Sequence, residues 1–162
     1  MTTNAITVSL NEIRTQSPCA DGWRKVLAAK GGKDADMEAQ FPLADIFETN
    51  DLDDALWALR CRPEYNNLWR KYAVWCARQV EHLMTNDRSK NALDVAWRHS
   101  DGLATDEELD AAGVAARAAA RDAASEAARE AARKAAWAAA SDAARGTQKQ
   151  KLIEILNAGK WV

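Results

Sequence analysis

The side chains best able to do covalent chemistry in this 162-residue sequence are three cysteines, Cys19, Cys61 and Cys76. Their odd number and their spacings match no zinc-binding or redox motif. Each lies on or beside an apolar stretch, where a free thiol behaves as a small hydrophobe. His82 and His99 both fall near expected helix ends, where an imidazole interacts favourably with the helix dipole, and neither has a cysteine or carboxylate at ligand spacing. The sequence contains no phosphate-cradling glycine loop and no nucleophile elbow. The reading is therefore of a chain with no catalytic, cofactor-binding or metal-ligating residues. An active site assembled from dispersed residues would instead require a deep pocket lined by perturbed carboxylates or a cysteine.

Charge offers a different chemistry. Residues 34–58 carry eight carboxylates (Asp34, Asp36, Glu38, Asp45, Glu48, Asp51, Asp53 and Asp54) and no lysine or arginine. The sign then reverses through Arg60, Arg62, Arg70, Lys71 and Arg78. Such an asymmetry fits a negative surface that docks on a basic partner protein, including one that binds nucleic acid. Two simpler accounts compete: Asp51, Asp53 and Asp54 stand where a helix begins and its dipole favours them, while Asp34, Asp36 and Glu38 suit a solvated loop. Direct nucleic-acid binding is not expected, because a sequence pI of 5.7 opposes it and no basic stripe interleaves with aromatics.

Of the seven tryptophans, Trp23, Trp57, Trp69 and Trp97 fit the apolar stripes of amphipathic helices. Trp137 stands inside an alanine-rich segment and Trp161 is one residue from the last, so both have fewer local reasons to be where they are. Tryptophan is enriched at binding hot spots, which makes Trp137 and Trp161 candidate partner contacts alongside Asp34, Asp36, Glu38, Asp51, Asp53 and Asp54. A gap-filling role between close-packed helices competes for Trp137.

The elements that must position these residues are helical. Bulk comes from alanine and tryptophan rather than β-branched residues, which fits an all-α chain: short N-terminal helices packed in a bundle with a long alanine-rich C-terminal helix or helix pair. The length suits a single domain, 1–162, with Trp-rich amphipathic helices over 9–100 and the alanine-rich segment over 105–157. Ser9 and Glu12 have capping-box spacing and open a first helix. Ser17 with Pro18 opens a second, with Cys19, Trp23, Val26 and Leu27 inward, and Gly31-Gly32 ends it. Residues 33–40 read as an acidic loop, and 43–49 as a short helix. Asn50 or Asp51 caps the next, whose apolar face is Leu52, Ala55, Leu56 and Leu59 and whose end is marked by Pro63. A long amphipathic helix spans 64–84, another 87–99 with Ala92, Leu93, Ala96 and Trp97 inward, and Asp101-Gly102 breaks it. Thr105 and Glu108 form a second capping-box pair.

From Ala111 to Ala144, alanine pairs recur every four residues, with mostly charged residues between them. Glu126 with Arg129, Glu130 with Lys134 and Asp142 with Arg145 have helical ion-pair spacing. A four-residue period advances about 40° beyond each full turn, so the alanine stripe winds around the helix and no straight partner can follow it. The segment either changes partners along its course or breaks, with Gly113 and Ser125 the weakest points. The period matches neither coiled-coil repeat, so a long supercoil is disfavoured, while homodimerisation stays open. A last helix with Leu152, Ile153, Ile155 and Leu156 follows Gly146.

No uninterrupted apolar run approaches the ~18 residues of a membrane span. The opening residues show no basic start followed by an apolar stretch, so the expected setting is a reducing cytoplasm, without membrane contact.

The strings SPCADGW (residues 17–23) and NDLDDALWALRC (residues 50–61), followed by an alanine-, tryptophan- and arginine-rich tail, resemble a group of small phage and prophage proteins. The DALWALR portion and the alanine tail are also similar to proteins described as immunity proteins. The resemblance runs from about residue 9 to residue 145. It implies an accessory factor of a mobile element that blocks a bacterial defence, toxin or nucleic-acid-processing protein by stoichiometric binding in the host cytoplasm. It carries no catalytic residues. The tail departs from the pattern, with more Arg, Asp and Glu than Trp between its alanine pairs.

Overall fold

The computed structural model describes residues 4–122 and 126–162. Most of the described residues lie in helices, and the sheet found among them is a single pair of two-residue strands, so the chain is all-α. No helix among the described residues is long and apolar enough to cross a membrane. Two compact units emerge, Met1–Tyr65 together with Lys149–Val162, and Asn66–Gln148.

In the first unit, β1 (Thr7–Val8) pairs antiparallel with β2 (Phe41–Pro42), in the register Thr7 to Pro42 and Val8 to Phe41. The strands are too short to leave an alternating pattern in the sequence, which predicts none there. Helix α1 (Leu10–Thr15) starts as the sequence indicates: Ser9 Oγ accepts the Glu12 N–H at 3.2 Å, and Glu12 Oε2 accepts the Ser9 N–H at 2.7 Å.

The same carboxylate has a second, distant partner. Arg62 donates to Glu12 Oε1 and Oε2, both at 2.7 Å, and its Nε donates to the Thr7 carbonyl at 2.6 Å. A fork-on-carboxylate pair of this kind fixes direction as well as distance. The Arg62 hydrogen bonds are the main cause holding the Glu12 carboxyl down at about 2, against the burial that opposes them.

Helix α2 (Ala20–Ala29) does not start at Ser17. Ser17 adopts a left-handed φ of 58°, and Cys19 is the N-cap, its Sγ accepting the Gly22 N–H at 3.3 Å. Pro18 consequently stands one residue before the cap. Gly31 and Gly32 close the helix with φ of 110° and 63°, as the sequence indicates. A 3₁₀ turn covers Leu43–Glu48, and Asp51 caps α3 (Leu52–Ala58), which tightens into a 3₁₀ turn at Leu59–Cys61 before Pro63. Leu52, Ala55 and Leu59 face the core, but Leu56 is exposed.

The last residues of α8 (Asp142–Ala158) complete this unit: Leu152, Ile155 and Leu156 are fully buried, as are Ile6, Val8, Leu10 and Leu43. Each such side chain contributes about 1.5–3 kcal/mol by leaving water. Ile6 is held on both sides, donating to Leu156 O and accepting from Leu43 N, both at 2.8 Å. Gly159 follows at φ 63°, and a Cβ there would stand 2.2 Å from the Asn4 carbonyl oxygen, so no other residue fits.

The second unit contains α4 (Asn66–Arg78), a 3₁₀ turn at Glu81–Leu83, α5 (Asp87–Ser100), α6 (Asp106–Asp122), α7 (Glu126–Ala140) and α8 up to Gln148. The helix expected over 64–84 is thus shorter, ending at Arg78. Tyr72, Val74, Val80 and Val95 are its largest buried residues; Ala92, Leu93, Ala96 and Trp97 of α5 are only half-buried, and Val95, which the sequence pattern does not single out, is the one that goes in. Lys71 Nζ and Arg78 Cζ stand 4.7 and 5.2 Å from the Trp97 ring, a polar cap over an apolar body.

His99 ties three of these helices. Arg70 Nη1 lies 2.9 Å from its Nδ1, and arginine can only donate, so the ring proton is on Nε2, which faces Asp106 Oδ1 at 2.7 Å. Thr105 and Glu108 complete the capping box that opens α6.

The alanine-rich segment runs through α6, α7 and the start of α8. Gly113 and Gly146 both sit inside helices. The described interruption is at Ser141, whose Oγ donates to Ala138 O at 2.9 Å and accepts the Ala144 N–H at 3.3 Å. One hydroxyl closes α7 and caps α8. The break expected at Ser125 and the Glu126–Arg129 side-chain pair lie outside what is described. Glu130 meets Arg133, at 2.7 Å. Ala112 and Ala119, two turns apart, are buried, as a stripe that winds off its partner requires.

Candidate binding cleft

Two stretches separated by some 30 residues in the sequence converge in the first unit. The start of α2 supplies Pro18, Cys19, Gly22 and Val26; the start of α3 supplies Asn50, Asp53, Asp54 and Trp57; Ile46 comes from the 3₁₀ turn between them. Together they line a cavity of about 260 Å³.

Asn50 organises the junction. It is only 8% exposed, and its Nδ2 donates both to the Gly22 carbonyl at 3.2 Å and to Asp54 Oδ2 at 2.8 Å. Its own carbonyl oxygen accepts from Thr49 Oγ1 at 2.7 Å. A buried amide satisfied on both ends fixes its neighbours tightly, because leaving any of these groups unpaired is costly. Asp54 is further held by its backbone, whose N–H is accepted by the Asp51 cap at 3.0 Å.

Gly22 makes the approach of the two helices feasible. A Cβ there would stand 3.0 Å from both Cys19 Sγ and Asp54 Oδ1 and 3.1 Å from Asp54 Oδ2. The glycine thus makes room for a thiol and a carboxylate side by side. Cys19 Sγ donates a long hydrogen bond to Asp54 Oδ1 at 3.9 Å.

The cleft has an apolar floor and a carboxylate rim. Among the described residues, no lysine, arginine or histidine lines it. Its field reaches outward: Lys25 is held above the ordinary lysine value chiefly by its hydrogen bond to Asp21, and in part by the charges of Asp54 and Asp51. Arg60 Cζ lies 4.5 Å from the Trp57 ring centroid.

The residues expected to contact a partner are therefore dispersed. Asp53 and Asp54 come together at the cleft, while Asp51 beside them caps α3 and lies outside the lining. Asp34, Asp36 and Glu38 are exposed elsewhere in the unit: Asp34 ends a 3₁₀ turn (Gly32–Asp34), Asp36 accepts from Glu38 N at 3.0 Å, and Glu38 accepts from Asn11 Nδ2 at 2.9 Å, which ties the segment to α1. Trp161 is half-buried, with Lys151 Nζ 5.2 Å from its ring. Trp137 is in the second unit and is 81% exposed, so it fills no gap between helices.

Of the nine residues lining the cleft, the sequence singles out only Asp53 and Asp54 as contacts. By local pattern Asn50 reads only as a cap, Trp57 as core, and Cys19 as a buried thiol, although Cys19 is exposed. Cys61 does follow that expectation, and burial pushes the Cys61 and Cys76 thiols up. The signal is present in the strings SPCADGW and NDLDDALWALRC: Pro18, Cys19 and Gly22 come from the first, Asn50, Asp53, Asp54 and Trp57 from the second.

No family model matches the chain, and neither characterised proteins nor solved structures compared with it include a similar one.

Proposed function

We propose that this chain is a non-enzymatic protein-binding factor of phage or prophage origin. In this reading it acts in the bacterial cytoplasm as a stoichiometric inhibitor or immunity-type partner of a defence, toxin or nucleic-acid-processing protein. The observation that carries the reading is the convergence of its two most distinctive strings on one preorganised cleft with Asp53 and Asp54 at the rim. Binding suits this geometry better than catalysis. Thiols are activated by a neighbouring base or cation, and here no lysine, arginine or histidine among the described residues lines the cleft, while Asp54 reaches Cys19 only through a long 3.9 Å hydrogen bond. A rigid acidic rim instead selects basic partners and steers their approach.

The test is affinity capture from a bacterial host lysate at low and at moderate salt, followed by reconstitution of the complex from purified components. The expected result is a salt-sensitive complex of fixed stoichiometry that is lost when Asp53 and Asp54 are both replaced by Lys while helicity is retained. A complex indifferent to both salt and charge reversal refutes the electrostatic reading. A second reading, self-assembly through the alanine-rich helices, draws on the exposure of Trp137. It requires a concentration-dependent oligomer in light scattering that Trp137→Ala abolishes.

A further inference from the structure

We infer that the cleft between α2 and α3 is a socket for a single arginine side chain presented by the partner protein. This rests on the binding reading and names the chemistry by which it works. Size is the first constraint. Pockets that hold small molecules or cofactors generally occupy roughly 300–1,000 Å³, and this one, at about 260 Å³, falls below that range. It has room for one long side chain.

The lining selects which one. Val26, Ile46 and Trp57 offer apolar surface to a methylene stem, and the two carboxylates stand at the rim. A stem that is apolar along its length and cationic at its tip is the signature of arginine and lysine. Arginine is the better match because Asp54 is held in a fixed orientation. Asn50 anchors one carboxylate oxygen at 2.8 Å, and the Asp51 cap anchors its backbone. A planar fork gains most from a carboxylate that cannot turn, whereas an ammonium gains only a point charge. Trp57 already shows the compatible chemistry on its own chain, with the Arg60 guanidinium over its ring.

Cys19 at the cleft provides the readout. The full-length protein is treated with iodoacetamide, and alkylation of each cysteine is followed by mass spectrometry, with buried Cys61 as the internal gauge of folding. N-acetyl-arginine amide is the probe and N-acetyl-citrulline amide its uncharged counterpart. At twice its dissociation constant an occupant leaves about one third of sites free, so Cys19 alkylation is expected to slow by about threefold with arginine. Citrulline is expected to give no slowing, and the arginine effect to vanish in Asp53→Asn and in Asp54→Asn with Cys61 still protected. Equal protection by the two amides, or none by arginine while Cys61 stays unreactive, overturns the socket. A captured partner whose affinity is unchanged by both Asn variants also overturns the socket and leaves the binding reading standing. Protection by arginine without any partner leaves the socket standing and refutes the binding reading.

Discussion

Replacing Glu12 by glutamine should destabilise the chain at neutral pH, and most of that effect should be gone by pH 2. Glutamine is accepted at the third helical position of a capping box, so the variant can keep the cap on α1 with its one oxygen, while it removes the charge and one of the two acceptors that Arg62 grips. The Glu12 carboxyl sits at about 2 in the folded chain, against 4.5 for an ordinary glutamate. Taken at face value, that difference corresponds to about 3 kcal/mol. Because the Glu12 side chain is 38% exposed and solvent screens the pair, about 1–2 kcal/mol is the reasonable share.

The sign follows from the direction of the shift. A carboxyl lowered on folding contributes fully above its unfolded value, so the wild type gains this stability above pH ~4.5 and loses it as pH falls toward ~2. Thermal unfolding followed by circular dichroism should place the Glu12→Gln midpoint about 2–8 °C below wild type at pH 7. The two curves should then converge as pH approaches 2. A gap of the same size at both pH values would show that the substitution acts through packing and would refute the electrostatic argument.

Asn50→Ala should lower stability by about 1–3 kcal/mol, since it leaves the Gly22 carbonyl and one oxygen of Asp54 without their buried donor; urea unfolding measures it, and an unchanged midpoint would contradict the role given to Asn50. Trp137→Ala should leave stability within about 0.5 kcal/mol of wild type because the ring is 81% exposed, and a larger loss in the same experiment would place that ring in a packed environment.

The sequence is most legible where structure is decided by neighbours. Ser9 with Glu12, Thr105 with Glu108, Asp51, Gly31-Gly32 and Pro63 each mark a helix end correctly, because a cap or breaker acts within about one turn. Ser17 misleads for a related reason: a thiol is a weaker acceptor than a hydroxyl, yet the left-handed turn at Ser17 puts Cys19 rather than Ser17 at the cap. Ser141 escapes notice because glycine is the obvious weak point in an alanine helix; a serine that can bond both ways interrupts it better. What no local rule reveals is the partner far along the chain. Glu12 finds Arg62 fifty positions away, and Asn50 finds Gly22 twenty-eight positions away. Composition places the acidic residues on one stretch, but only tertiary folding separates the two that line a cleft from those that close a loop.

The assembly of the first unit from both ends of the chain sets an order of events in folding. Its core is incomplete until Leu152, Ile155 and Leu156 arrive, after the whole of Asn66–Gln148 has been made. Closing a flexible loop of that length costs on the order of 4 kcal/mol in chain entropy, comparable to what two of those three side chains return by burial. During synthesis, therefore, α2 and α3 emerge well ahead of the end of α8, and the first unit packs fully only after the second has been made.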